Sequence, residues 1–308
     1  MFKLPNGIPS LNSSAQDWAD YAEFLTLIKE NGELSLLELI RQPSFISDEE
    51  FLIGIEDDSD RFLQKADEVI AEIRFRSELC GNKYPFITKN KDYTLSYTKE
   101  NETFGEIYKY LLLCTRLQMN KNRVHGQIDG ALLFEKLSAV VARSYFGDKS
   151  EVEVFGTSRS GEGGFRNKLE ELIKRLNEGG SLHQNPGHRP QDENVDIIIW
   201  KGFSDRLPSQ LIAFGQCKTG TSWVDSLSEL NTLAFCNTWF TRQPVLTPIR
   251  LFFCAQYFPR DIWHVRAYEA GLVFDRFRIL DWMPDKLDKD LYNSVLMWSK
   301  GAFASVKI

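Results

Sequence analysis

The stretch Asn194–Gly220, NVDIIIWKGFSDRLPSQLIAFGQCKTG, holds the side chains best suited to chemistry. Asp196 opens a segment that is otherwise wholly apolar. Burying an ionised carboxylate there is costly unless it is paired or bound to a metal. Further on, a second apolar segment carries Gln216 and Lys218. Strand side chains alternate, so these two share a face, with Phe214 and Ile212 behind them. The connecting loop, centred near residues 205–206, suits an antiparallel hairpin whose symmetric closure sets Asp196 opposite residue 215. One carboxylate, one amide and one ammonium then meet at one end of a buried sheet. A carboxylate and an amide carbonyl are hard oxygen ligands suited to Mg²⁺ or Mn²⁺. A neighbouring lysine can stabilise charge on a phosphate in transition, or orient the attacking water. The non-catalytic alternative is a buried Asp–Lys pair that only ties two strands.

A further acid lies upstream, in DGALLFEKLSAVVARSYFG. Leu133, Leu137, Val140 and Val141 make an apolar helical stripe. Glu135 sits on the other side among Ala131, Ser138, Ala139 and Ala142, a small-residue face that lets another element approach closely. This favours an enclosed position for Glu135. The following helix is the contrast: Phe165, Leu169, Leu172, Ile173 and Leu176 form its stripe, while Glu170, Glu171, Lys174 and Glu178 read as a solvated face.

Other motifs fail on their spacing. GTSRSGEGG has the two glycines of a phosphate loop at 156 and 161, but Glu162 stands where the lysine is required. Ser158, Arg159 and Arg166 in and after this loop are candidate donors to a nucleic-acid backbone; a plain linker is the alternative. Arg276 and Arg278 read as sharing a face of the last strand, where they could hold phosphates. The four histidines make no metal-binding pair, there is no CxxC, and Cys217 points away from its neighbours Gln216 and Lys218. Trp223, Trp239 and Phe240 could stack on bases, although core packing is their commoner use.

The elements that would position these groups divide the chain near residue 125. Residues 1–125 read as a mainly helical domain. Trp18, Tyr21, Leu25 and Ile28 make one amphipathic stripe, Ser47-Asp48-Glu49-Glu50 opens a second helical stretch, YPFITKNKDYTLSYT reads as a hairpin, and TFGEIYKYLLLCTRLQM as another helix. Residues 126–308 alternate helices with continuous apolar strands, which implies a central sheet covered on both faces. The chain has 308 residues, 43% hydrophobic and 26% charged, as a soluble globular protein does. Its longest apolar runs are too short for a membrane span, no secretory signal opens it, and five unpatterned cysteines suit a reduced, cytoplasmic setting. The net charge of −6 is uneven, since residues 1–60 carry 3 basic and 13 acidic side chains. The remainder is slightly basic, so a nucleic-acid partner is not excluded by charge, whereas coating nucleic acid through bulk charge is.

A helix glutamate, then a strand aspartate, then Gln-x-Lys on the adjacent strand resembles the PD-(D/E)xK nuclease superfamily, in its Gln-x-Lys subgroup that includes Mrr-like restriction endonucleases. The matching residues are Phe134-Glu135-Lys136-Leu137, Val195-Asp196-Ile197 and Gln216-Cys217-Lys218. The resemblance implies a restriction-endonuclease-like α/β fold over residues 126–308, a mixed sheet flanked by helices. It also implies an Mg²⁺- or Mn²⁺-dependent endonuclease acting on DNA, in a bacterial restriction or antiphage defence system. By it, Asp196 is the main metal ligand, Gln216 the amide ligand, Lys218 the catalytic lysine and Glu135 the accessory metal or water acid. Two departures are a Val195 where the pattern has proline and a long Glu135-to-Asp196 separation. Residues 1–125 are outside the resemblance; a partner protein or a second copy could dock there. The rival from another class is a catalytically inactive nuclease-like module that binds nucleic acid or a partner protein. A phosphohydrolase of small nucleotides is a further one. The residues do not separate DNA from RNA.

Overall fold

The computed structural model describes residues 8–41, 58–89, 93–117, 119–156, 164–184 and 194–305. The chain forms two compact units, Met1–Leu117 with Ser305–Ile308, and Gln118–Ala304. Residues 118–125 thus belong with the second unit.

In the first unit the helix Ala15–Ile28 starts at Ser14, whose side chain accepts from the Asp17 N–H, the usual way to satisfy a helix's first free donors. The expected hairpin is present as strands β2 (Phe86–Lys89) and β3 (Thr94–Tyr97). A short strand β1 (Glu33–Ser35), which the residue pattern did not announce, completes an antiparallel sheet in the order β1-β3-β2. The helix Asp58–Cys80 carries Arg76, which is fully buried and pairs with Asp20, Glu23 and Glu72 at 2.8 Å each. Such a buried cluster costs desolvation and is tolerated because every charge finds a partner. Ser47, Asp48, Glu49 and Glu50 lie outside the described residues.

The second unit is mixed α/β and includes a short antiparallel ribbon of β4 (Val124–His125) and β5 (Ile128–Asp129). Strands β6 (Glu151–Val154), β7 (Ile197–Lys201), β8 (Leu211–Lys218), β9 (Ile249–Cys254) and β10 (Leu272–Phe274) form one sheet in the order β10-β9-β8-β7-β6. The β6, β7 and β8 ribbons are antiparallel; β8, β9 and β10 run parallel. On one face Ile198, Trp200, Ile212 and Phe214 pack with Leu169, Leu172 and Leu176 of the helix Gly164–Leu176 and with Phe235 and Trp239 of the helix Thr232–Trp239. On the other face Ile197, Ile199 and Ala213 are also fully buried. The helix Gly130–Phe146 packs on β6, β7 and β8. Both faces are therefore covered, which is what continuous apolar strands require.

The end of the chain departs from the sequence expectation. The final strand stops at Phe274, and Asp275 then caps a helix, Arg276–Trp282, by accepting from the Arg278 N–H. A strand cannot run on where an aspartate offers the backbone this alternative. After the strand that holds Gln216 and Lys218 come a short turn of 3₁₀ helix at Trp223–Ser226 and the helix Thr232–Trp239, which is capped by the Asn231 side chain.

Candidate functional site

β8 is the central strand, and its C-terminal end brings Gln216 and Lys218 onto one face. Gln216 is beside Phe252 and Lys218 beside Cys254 in the parallel register with β9. On the antiparallel side Ile197 pairs with Gly215. This ladder, whose pairing ends there, is shifted by one residue from the symmetric closure expected from sequence. The physical reason is the loop: β7 ends at Lys201 and β8 starts at Leu211, so the loop is centred on residue 206. Arg206 and Ser209 adopt positive φ to close it. The expected contact survives in the backbone, where the Asp196 N–H donates to the Gly215 carbonyl at 2.9 Å. Two successive residues of one strand thus address one residue of the other, the count of a β-bulge.

Asp196 is 4% exposed, and its Oδ2 accepts from the Cys217 N–H at 2.7 Å. Cys217 lies between Gln216 and Lys218, so this bond fixes the carboxylate at the Gln-x-Lys segment. Gln216 is 1% exposed. Its Nε2 donates to Glu229 Oε2 at 2.7 Å, while its Oε1 is buried and makes no hydrogen bond among the described residues. Lys218 Nζ also reaches Glu229 Oε2, at 3.0 Å. Gln216 and Lys218 therefore converge on one carboxylate oxygen.

Glu229 was not singled out from sequence. It sits in the loop between Trp223–Ser226 and Thr232–Trp239, where nothing in residue spacing marks it. A free strand-end lysine in want of a counter-charge was the one available signal. Burial pushes the Glu229 carboxyl up, but the Lys218 and Gln216 donors, the Lys218 charge and Ser226 outweigh it, and the net shift is downward from 4.5.

Glu135 is buried in the helix Gly130–Phe146, among Ser138, Ala139 and Ala142, which are buried as well. Its carboxylate lies against Gly156, two residues after the end of β6. The preceding residue, Phe155, donates its N–H to the Asp196 carbonyl at 2.7 Å. The helix acid is thereby brought to the sheet end that holds Asp196.

Among the described residues no three His, Cys, Asp or Glu side chains are grouped to hold a metal ion. A cation cage built only from acids and histidines is thus not formed. The donor set that remains is a carboxylate, Asp196, with an amide oxygen, Gln216 Oε1. Mg²⁺ needs no more from a protein, because it keeps several waters. The partnerless buried Gln216 Oε1 fits such use, since buried acceptors are otherwise nearly always satisfied.

Of the other sequence candidates, Arg166 Nη2 donates to the His183 and Gln184 carbonyls, at 2.6 and 2.9 Å, which ties it to the segment after its helix. Arg276 is fully buried and its Nε donates to the Ala255 carbonyl. It is a structural residue, not a phosphate contact. Arg278 is exposed and does not share a strand face with Arg276. It stacks over Trp263 with 4.3 Å to the ring centroid. Ser158 and Arg159 lie outside the described residues. Trp223, Trp239 and Phe240 are core. Glu178, expected on a solvated face, is buried instead: it accepts from the Ser209 N–H at 3.2 Å and the Val245 N–H at 2.6 Å.

No family model matches the chain, nor does a curated protein or a solved structure.

Proposed function

We propose that the second unit is a restriction-endonuclease-like domain that hydrolyses phosphodiester bonds of DNA with a divalent cation, in a bacterial restriction or antiphage setting. One observation carries this reading. The Asp196 carboxylate is held on the N–H of Cys217, the residue between Lys218 and a buried Gln216 whose Oε1 makes no hydrogen bond among the described residues. Asp196 and Gln216 Oε1 would hold Mg²⁺ or Mn²⁺. When bound, such an ion polarises a phosphodiester oxygen and lowers the pKa of water. The chain's own groups do the rest. Lys218, at the mouth of the site, faces the charge that develops on the phosphate oxygens. Gln216 is oriented by its Nε2 bond to Glu229, which aims Oε1 away from that carboxylate. Glu135, buried against Gly156, is the accessory acid.

A second reading is favoured by a specific contact. Lys218 and Gln216 both spend donors on Glu229, and a module that binds nucleic acid or a partner without cutting it could keep this arrangement unchanged. Cleavage of plasmid and single-stranded substrates with Mg²⁺ or Mn²⁺ decides between them. Cutting by the wild type that is lost in both Lys218→Ala and Asp196→Ala supports the nuclease. Equal cutting by all three ends it, and no cutting by any favours the binding module. Activity on mononucleotides alone would point to a nucleotide phosphohydrolase.

A further inference from the structure

Gly156 has a backbone conformation open to any residue, since its φ lies outside the left-handed region that favours glycine. Its lack of a side chain therefore has another cause. A Cβ built on Gly156 would fall into the Glu135 carboxylate. Its three nearest atoms would all be Glu135's, namely Oε2, Cδ and, at 2.6 Å, Oε1. Contacts this short do not exist between real atoms, so carboxylate and methyl cannot share the space. The atoms in the way are the end of a flexible side chain, so a methyl can be admitted only if the Glu135 carboxylate swings aside; with Phe134, Leu137, Ser138, Ala139 and Ala142 buried around this acid, which is itself 7% exposed, that movement takes it out of its place.

We infer that Gly156 is a positioning residue: the volume of its missing side chain is the seat of the Glu135 carboxylate beside the Asp196 end of the sheet. The geometric part stands on the close approach alone; the part about what the acid does there rests on the nuclease reading. The seat explains how an acid far upstream in sequence reaches this sheet end. The Phe155 N–H is bonded to the Asp196 carbonyl, and the next residue leaves the opening through which the helix acid arrives.

The test is a double-mutant cycle of Gly156→Ala with Glu135→Ala, read by thermal unfolding and by Mn²⁺ titration, with cleavage as a third measurement. Gly156→Ala alone is expected to lower Tm and to weaken Mn²⁺ binding about 10-fold or more, the usual effect of disturbing a group behind a metal ligand. In the Glu135→Ala background the same change is expected to leave Tm unchanged or raise it, since alanine at a compatible φ restricts the unfolded chain. If Gly156→Ala proves too unstable to assay, Glu135→Asp in its background is the second variant. The shorter acid vacates the methyl's space, so it should restore folding and most of the Mn²⁺ affinity. Equal Tm losses from Gly156→Ala with and without the Glu135 carboxylate, or no rescue by Glu135→Asp, overturn the inference. Coupled Tm shifts in a protein that binds no Mn²⁺ and cuts nothing support the seat and overturn the nuclease reading.

Discussion

Lys218 and Glu229 are partly exposed, 28% and 37%, and exposed ion pairs contribute roughly 0–1 kcal/mol to stability. Such a pair is easily exchanged for a phosphate. Lys218→Ala should therefore leave Tm close to that of the wild type while cleavage falls about 100-fold or more. A variant that loses both together would mark Lys218 as a structural residue. The Glu229 carboxyl is held below its ordinary 4.5 in the folded chain. For a depressed carboxyl, the stabilisation is present above the unfolded value and is lost as pH falls through the folded one. The Glu229 side-chain carboxyl, followed by NMR, should titrate with a midpoint below 4.5, and Lys218→Ala should raise that midpoint. A midpoint at or above 4.5 in the wild type would contradict the contact.

At the scale of elements, the two loops at the far end of the sheet are tied together by Glu178. Its carboxylate takes the Ser209 N–H from the β7–β8 loop and the Val245 N–H from the segment before β9. Ser209 and Val245 are exposed, so water can take over their N–H groups, and Glu178→Ala should cost about 1 kcal/mol in denaturant unfolding, with no change in Mn²⁺ binding. An unchanged midpoint would contradict this. The same residue shows what sequence could and could not convey. The helical stripe from Phe165 to Leu176 was legible because its period is local. Glu178, two residues past the helix end, looked like one more solvated acid because its partners lie in distant loops. The β7–β8 hairpin was legible from two apolar runs around a polar loop, but its register was not, since one loop residue shifts every pairing. Residues 276–279 read as strand because Arg276, Phe277, Arg278 and Ile279 alternate polar and apolar with a period of two, although they form the start of the helix Arg276–Trp282. The Asp275 cap decides it. Glu229 was invisible because its role depends on Gln216 and Lys218 converging in space.

For the whole molecule, a net charge of −6 sets a limit on how nucleic acid can be held. Among the described residues no helix is long and apolar enough to cross a membrane. On the proposed function, a chain of this net charge would hold nucleic acid through a few phosphate contacts near Lys218 rather than through bulk charge. With three or four such contacts, the slope of log K against log salt should be about −3 to −4. Fluorescence anisotropy of a labelled duplex with the Asp196→Ala protein measures it, and a slope near −10 would contradict binding through so few contacts. On the proposed function, Asp196 and the Gln216 amide oxygen together hold one hard cation. Mn²⁺ titration followed by electron paramagnetic resonance tests it most directly. One site is expected in the wild type, abolished by Asp196→Asn, weakened by Gln216→Ala and untouched by Glu178→Ala. Identical Mn²⁺ binding in all four proteins, or none in the wild type, would contradict it.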